Sequence, residues 1–273
     1  MAITHFIPEL WVAQMLERWT AENVFPSLVN REYEGIATKG NTVHITGVVP
    51  PEVKDYKGNN RLTEPDEIDD VNIDLLIDQE KNFDFYIDDI DKSQSAGSLS
   101  PYTDAAADGL IADADMFIAN MLVEHGTAMS GSVPTTGDDA FDIFADAQRD
   151  LTKAKVPANG RIAVINADFQ RLLVGADSKL TNVAYSGDNN GLRTATIGQL
   201  LNFRTVASLH LPAVNHPQAV FYHPRAAAYV SQIDEIEAMR AEKKFADRIR
   251  GLHVYGGKVV KPEGVRVFNK GGS

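Results

Sequence analysis

Two stretches decide the fold of this chain: Thr42-Val-His-Ile-Thr-Gly-Val-Val49 and Val71-Asn-Ile-Asp-Leu-Leu-Ile-Asp-Gln-Glu-Lys-Asn-Phe-Asp-Phe-Tyr-Ile87. Apolar and polar residues alternate along most of both, which predicts two β-strands with one apolar face each. A polar segment with prolines separates them, so we expect a long two-stranded ribbon. An isolated hairpin is at best marginally stable in water, and nothing else in the sequence obviously supplies a surface for it. We therefore interpret the ribbon as an arm that reaches a neighbouring subunit.

A long helix is predicted to follow the ribbon, from Pro101 to about His125. Ser100 suits the cap position and Pro101 the first turn. One face carries residues at helical spacing: Leu110, Ile111, Ala114, Phe117, Ile118, Met121, Leu122 and His125. The aspartates are expected largely on the other faces: Asp104, Asp108, Asp113 and Asp115. At 1.5 Å per residue this helix is a rod of about 37 Å.

An α/β block is predicted next, after a hinge of small residues at Gly131–Gly137 that marks a domain boundary. Its expected helices and strands are Asp138–Ala154, Arg161–Asn166, Asp168–Val174, Arg204–Leu209 and Ala219–Tyr222. The polar stretch Gly175–Gly191 is too long for a tight turn and indicates a functional or mobile loop. The tail, Ile233–Phe268, is predicted to be extended, with a turn at Gly256–Gly257, and to pack on the long helix.

The composition limits the kind of protein this is. The 273 residues include no cysteine, which excludes disulfides, thiolate nucleophiles and thiolate metal sites. No apolar run is long enough to span a membrane, and the start lacks the order of a signal peptide, so we expect a soluble protein. The net charge of -12 opposes tight DNA binding, because such binding needs basic side chains on the phosphates. A wall that surrounds nucleic acid without gripping it remains compatible.

We find no pattern of a catalytic, cofactor or metal site. Residues 35–40 resemble a phosphate-binding loop, but Asn41, followed by Thr42, stands where the Lys of the motif should follow. The histidines His210, His216 and His223 are spaced too loosely for a helical metal pair. The aspartates Asp88, Asp89 and Asp91 lack the glycine and the closing glutamate of a calcium loop. We expect no enzyme; an α/β enzyme working near residues 175–191 is a distant alternative without a nucleophile–base pair.

The first 30 residues predict a helix that is rich in aromatic and large apolar side chains. Its candidate anchors are Phe6, Leu10, Trp11, Trp19 and Phe25. Two interpretations have about equal weight. The segment either docks on its own core, or it buries these rings against another chain, as aromatic hot spots do.

The order of segments resembles the major capsid proteins of tailed bacteriophages, with the Hong Kong 97-type fold. The resembling stretches are Phe6-Ile-Pro-Glu-Leu-Trp11, Ala21-Glu-Asn-Val-Phe25, Phe83-Asp-Phe-Tyr-Ile-Asp-Asp-Ile-Asp-Lys92, Tyr222-His-Pro-Arg-Ala226 and Tyr255-Gly-Gly-Lys-Val-Val-Lys-Pro-Glu-Gly-Val265. Each motif is weak alone, but together they cover nearly the whole chain in order. The resemblance implies an α+β fold with an N-terminal arm (1–34) and an extended loop (35–92). It also implies a peripheral domain with the long spine helix (93–136 and 232–273) and an axial α/β domain (137–231).

The resemblance also implies a function and partners. Such proteins self-assemble as pentamers and hexamers into the icosahedral head shell of a tailed phage, which encloses double-stranded DNA without sequence-specific binding. The location would be the virion, after assembly in the host bacterial cytoplasm. A separate scaffolding protein and a portal are expected, and a decoration protein is compatible. The alternatives are an encapsulin-like compartment for protein cargo, and a tail or neck protein, which the full order of segments disfavours.

Specific contacts between subunits follow as hypotheses. The acidic end of the ribbon contains five acids and no base: Glu64, Asp66, Glu67, Asp69 and Asp70. The densest basic stretch contains Arg240, Lys243, Lys244, Arg248 and Arg250. We hypothesise that the acidic end of one subunit lies on the basic stretch of its neighbour, although a solvated charged face has about equal weight. The resemblance further places the loop Lys179–Leu192 at the capsomer axis, with Tyr185, Asp188 and Asn189 as contacts.

Overall fold

The computed structural model describes residues 23–34, 41–48, 54–55, 57–58, 61, 70–88, 100–175, 198–241 and 244–271. Its strands and helices, in chain order, are β1 (Thr42–Val48), β2 (Asp70–Leu76), β3 (Gln79–Asp88), α1 (Ser100–His125), β4 (Thr127–Ala128), α2 (Gly137–Lys153), β5 (Arg161–Ile165), α3 (Ala167–Val174), β6 (Gln199–Leu200), β7 (Phe203–Ala207), β8 (Ala219–Tyr222), β9 (Ala227–Arg240), β10 (Ala246–Val259) and β11 (Val265–Phe268). Short 3-10 helices cover Phe25–Ser27, Pro224–Ala226 and Pro262–Gly264. No helix of the described part is long and apolar enough to cross a membrane.

A six-stranded sheet, in the order β4-β11-β8-β5-β7-β6, forms the centre of the fold. Every residue of β5 is buried, because helices cover both faces of the sheet. On one face Phe144 of α2 packs edge-on against Phe221 and Phe203. On the other face Ile118 and Leu122 of α1 share a core with Val164 and Val220. The predicted α/β block is therefore confirmed, although β7 begins and ends earlier than expected.

A second sheet, β3-β10-β9, lies against α1. The rings of Phe117 and Tyr255 meet edge-on at 5.3 Å between centroids. The Tyr255 hydroxyl donates a hydrogen bond of 2.5 Å to Asp113, and burial, followed by this carboxylate, raises the pKa of Tyr255. The prediction that the extended tail packs on the long helix is confirmed.

The ribbon consists of β1 and β2, which pair from Thr42 opposite Leu76 to Val48 opposite Asp70. Its root packs on its own chain, because Val43, Ile45, Leu75 and Ile77 form a cluster with residues 228, 230 and 254 of β9 and β10. The expectation that nothing in the chain supplies a surface for the ribbon is therefore wrong at the root. The three core residues that cover it lie on β9 and β10, far from the ribbon in the sequence. No local pattern marks them as partners of the ribbon.

The predicted single strand Val71–Ile87 is two strands that belong to different sheets. β2 pairs with β1 as far as Leu76, whereas β3 starts at Gln79 and pairs with β10. The alternation of buried and exposed residues continues across the break, so the sequence shows no change of face there. Alternation fixes which side of a strand is buried and carries no information about the partner strand.

The predicted turn at Gly256–Gly257 is also wrong. Both residues lie inside β10, opposite Val230 and Tyr229 of β9, and the hairpin turns between residues 240 and 246 instead. A Cβ atom on Gly256 would lie 2.1 Å from the carbonyl oxygen of Leu76. Glycine is needed at position 256 because the backbone of the ribbon root crosses β10 at contact distance. A glycine in a strand can therefore mark the close approach of another backbone segment instead of a turn.

The long helix is confirmed from Ser100 to His125, but parts of its predicted orientation are wrong. Asp115 is fully buried, whereas Ile111 and His125 are exposed. The buried side of α1 is wider than one apolar stripe, because the helix faces two sheets. The predicted N-terminal helix, the loop from 176 onward and the acidic residues 64–69 lie outside the described residues.

Candidate assembly surface

A buried carboxylate fixes the root of the N-terminal segment. Asp115 Oδ1 accepts hydrogen bonds from the backbone N–H groups of Val24 at 2.8 Å and Phe25 at 2.7 Å. Asp115 Oδ2 lies 2.6 Å from Nδ1 of His210, in the loop after β7. Burial, together with this negative charge, raises the pKa of the neighbouring Tyr222 hydroxyl. The carboxylate of Asp115, which also binds His210, thus holds residues 24 and 25 against the middle of α1.

Phe25 lies in the core of its own chain, where no part of its side chain is exposed. For this residue the structure shows the docked interpretation, and its ring has no surface left for a neighbouring subunit. The other aromatic and apolar anchors of this segment, Phe6, Leu10, Trp11 and Trp19, lie outside the described residues and stay predictions.

The chain then runs along the start of β9 before it enters the ribbon. Asn30 N donates to the carbonyl oxygen of Ala227 at 3.1 Å, and Asn30 O accepts from Tyr229 N at 3.0 Å. The Tyr33 ring packs on the cluster at the ribbon root. Asn30, Tyr33 and the ribbon root therefore all contact the first residues of β9 or the cluster built on them.

Three arginines of the basic stretch bind carboxylates of their own chain. Arg248 is bidentate to Asp84 across β10 and β3, with Nε 2.8 Å from Oδ1, and these bonds lower the pKa of Asp84. Arg250 Nε lies 2.8 Å from Glu237 Oε2 on the opposite strand β9. Arg240 Nη1 lies 3.0 Å from Asp247 Oδ1. The Arg248–Asp84 and Arg250–Glu237 pairs line a shallow groove of about 560 Å³ on the outer face of the second sheet.

The same end of the second sheet exposes large apolar side chains. Phe245 is 83% exposed, Tyr86 54% and Met239 37%. Arg248 stands opposite both Tyr86 and Met239, so these two share one face. Lys244 lies 5.8 Å above the Tyr86 ring. Exposed apolar groups that lie together mark interaction sites, and we name Tyr86, Met239 and Phe245 the hairpin cluster. The sequence analysis missed it, because each residue alone looks like a strand residue.

The remaining predicted contact residues are placed only in part. Asp70 pairs with Val48 at the far end of the described ribbon. Lys243 and the loop residues Tyr185, Asp188 and Asn189 lie outside the described residues, as do Glu64, Asp66, Glu67 and Asp69.

The described residues contain no group of three or more side chains that could hold a metal ion. The three histidines near the end of the α/β block make separate contacts. His210 binds Asp115, the carbonyl oxygen of His216 accepts from Asn166, and His223 Nδ1 accepts from the backbone of Arg225.

Comparison with known proteins identifies the fold. No family model and no curated protein matches the chain. A solved structure from Mycobacterium phage Che8 is 58% identical over 100% of both chains, with a TM-score of 0.90. The capsid structure of the cyanophage P-SCSP1u is 15% identical, covers 94% of this chain and 91% of the other, and has a TM-score of 0.78. The mature capsid of bacteriophage PhiM1 is 14% identical, covers 92% and 88%, and has a TM-score of 0.72.

The architecture is the α+β Hong Kong 97-type capsid fold, whose members are structural proteins and not enzymes. The chain belongs to the major capsid proteins of tailed bacteriophages, and it associates with copies of itself into the icosahedral head shell of the virion.

Proposed function

We propose that pentamers and hexamers of this chain build the shell, and that the shell encloses double-stranded DNA without reading its sequence. The observation that carries this proposal is the length of the described ribbon compared with the part of it that packs on its own chain. Seven residue pairs make the described ribbon about 23 Å long, and the apolar contacts that the structure describes between it and the body come from residues 43, 45, 73, 75 and 77, near its root. A ribbon of this length needs a second surface along its outer part, and a neighbouring subunit in a ring provides one for every copy.

The proposed division of the chain follows the same logic. The arm is 1–34, the extended loop 35–92, the peripheral domain 93–136 with 232–273, and the axial domain 137–231. Strand β11 pairs with β4 on one side and β8 on the other, so it connects the peripheral and axial parts within one sheet.

The acidic end of the ribbon, residues 64–70, is proposed to contact the hairpin of β9 and β10 in the neighbouring subunit. The pairs of Arg240, Arg248 and Arg250 with their own chain leave Lys243 and Lys244 to carry most of this attraction. An exposed ion pair contributes only about 0.2–1 kcal/mol. The contact matters because it recurs at every subunit, and later contacts form within an assembly that already exists.

The test of shell formation is electron microscopy and sedimentation of the full chain from infected cells, combined with nuclease protection. Closed shells that protect DNA support the proposal, shells filled with protein favour a cargo compartment, and a stable monomer contradicts it. Lys243→Glu with Lys244→Glu tests the contact. We expect fewer shells and a stronger dependence on salt; unchanged assembly and salt sensitivity would remove the acidic end from this position.

Other phage proteins complete the proposal. A separate scaffolding protein and a portal are expected to act with this chain, and a decoration protein is compatible with the exposed outer face of the second sheet. Expression of the chain alone and together with its neighbouring phage genes tests this. Closed shells of uniform size only in the second case would support a separate scaffold.

A further inference from the structure

A small cleft lies at one end of the six-stranded sheet, where α2 ends and β8 and β11 meet. It has a volume of about 220 Å³ and is lined by the cationic side chains Lys155, Arg225 and Lys261, together with His223 and Glu263. The three cations come from separate segments: the loop after α2, the 3-10 helix after β8 and the loop before β11. The fold, and not the local sequence, brings them together.

A buried arginine stands behind the cleft. Arg161, at the start of β5, is only 1% exposed. Its hydrogen bonds go to neutral acceptors: the carbonyl oxygens of Pro157 at 2.9 Å, Val156 at 2.8 Å and Gln148 at 3.4 Å, and the hydroxyl of Thr152 at 3.2 Å. These acceptors belong to the end of α2 and the loop after it. The end of a helix offers about half a negative charge, so much of the arginine charge remains uncompensated.

The cleft cations differ from the arginines of the second sheet. Among the described residues, no carboxylate forms an ion pair with Lys155, Arg225 or Lys261, whereas Arg240, Arg248 and Arg250 each bind one. Glu263 is the one acid in the lining. A protein with a net charge of -12 therefore carries here a concentrated positive surface.

The histidine of the cleft is consistent with this positive field. His223 Nδ1 accepts a hydrogen bond of 3.2 Å from the backbone N–H of Arg225, so this nitrogen carries no proton. Burial lowers the pKa of His223, and the charges of Arg225 and Arg161 lower it further. The ring therefore helps to position Arg225 and adds no charge of its own.

We propose that this cleft binds phosphates of the duplex DNA inside the shell. The cleft has no aromatic lining residue and two lysines, whereas interfaces between proteins are enriched in aromatic residues and depleted in lysine. Lysine and arginine are the common phosphate ligands, and such contacts position DNA without reading its sequence. The inference rests on the proposed enclosure of DNA and assigns it one contact point per subunit.

The test is the salt dependence of duplex binding by the full-length protein, measured as fluorescence anisotropy of a labelled 20-base-pair duplex. Three phosphate contacts give a slope of about -2.7 for the logarithm of the association constant against the logarithm of salt. Arg225→Glu and Lys261→Gln are each expected to reduce this slope by about one. Lys261→Gln serves as the milder variant if Arg225→Glu does not fold.

Arg204→Glu is the matched control, because Arg204 is exposed on β7, outside the cleft, and the substitution changes the net charge as much as Arg225→Glu does. Equal losses in Arg204→Glu and Arg225→Glu would overturn the proposal, since the effect would then come from net charge alone. Competition by polyglutamate as strong as by DNA of equal charge would overturn it in favour of an acidic protein partner.

Shell formation by the same variants separates this inference from the proposed function. Closed shells with protected DNA, combined with no loss of duplex binding in the cleft variants, would remove the cleft and leave the function intact. The absence of shells in infected cells that make the unaltered protein would contradict the proposed function, whatever the binding result.

Discussion

At the scale of single residues, Asp115 is the side chain on which the N-terminal segment depends most directly. A charge without solvent contact is costly unless hydrogen bonds satisfy it, and here two backbone N–H groups and a histidine do so. The helix carries several other aspartates at or near its surface, and nothing in the sequence distinguishes Asp115 from them. Its partners lie about 90 residues away in both directions, which explains why spacing alone placed it on the wrong face.

Asp115→Ala is expected to lower the free energy of unfolding by about 3 kcal/mol, because the N–H groups of residues 24 and 25 lose their acceptor in a buried site. Guanidinium denaturation of unassembled subunits measures this. Asp108→Ala, on the same helix, serves as the control and should stay within about 0.5 kcal/mol of the unaltered protein. Similar stabilities of the two variants would show that the carboxylate is not needed at the root.

A second prediction at this scale concerns pH. The pKa of His223 is lowered in the folded protein, chiefly by burial, from the ordinary value of about 6.5. Below pH 6.5 the unfolded chain therefore binds a proton that the folded chain does not. The stability that comes from this residue is present above about pH 6.5 and is lost as the pH falls through that value toward the lower pKa of the folded state.

His223→Asn should flatten this part of the pH profile, since the asparagine oxygen can accept the same backbone hydrogen bond without titrating. The measurement is the unfolding midpoint of both proteins between pH 4.5 and 7.5. Parallel profiles would mean that other groups produce the acid sensitivity.

At the scale of secondary-structure elements, the contact between the ribbon root and β10 fixes the direction in which the ribbon leaves the body. Gly256 permits the contact, because any side chain there would meet the backbone of residues 76 and 77. On its other side β10 carries the Tyr255 ring against α1. Strand β10 thus fixes the ribbon and helix α1 relative to each other.

Gly256→Ala is expected to destabilise the subunit by about 2–3 kcal/mol, because a Cβ atom against backbone cannot be accommodated by a side-chain movement. Thermal unfolding and shell yield measure the effect on stability and on assembly. Gly109→Ala is the matched control: no atom lies within 4 Å of its added Cβ, and alanine in a helix is more stable than glycine by about 0.5–1 kcal/mol. Normal shells from Gly256→Ala would show that this contact does not determine the direction of the ribbon.

The sequence predicts most elements and few of their partners. The helix from Ser100 and strand β8 were located to within a residue, because caps and periodicity are local signals. The break between β2 and β3, the site of the hairpin turn and the burial of Asp115 depend on segments that are distant in the sequence. The cleft was missed for the same reason, since its three cations are up to about a hundred residues apart. The histidines and glycines that the sequence did single out proved to have structural contacts.

At the scale of the whole molecule, the hairpin cluster exposes large apolar side chains in the single chain. Phe245→Ser should lower shell yield several-fold while the unfolding free energy of the subunit changes by no more than about 0.5 kcal/mol, because an exposed ring contributes little to its own fold. Sedimentation gives the yield and denaturation the stability. A normal yield would exclude the hairpin cluster from the subunit contacts.

The position of β11 has a consequence for the timing of synthesis. Although β11 is the last strand in chain order, it lies inside the central sheet, between β4 and β8. While the ribosome is still translating the preceding residues, β8 pairs only with β5, and β4 has no strand of this sheet to pair with. Translation must therefore pass Phe268 before the subunit closes. A polypeptide released before β11 lacks the strand that joins β4 to β8, so we expect the order of synthesis to exclude incomplete copies from the shell.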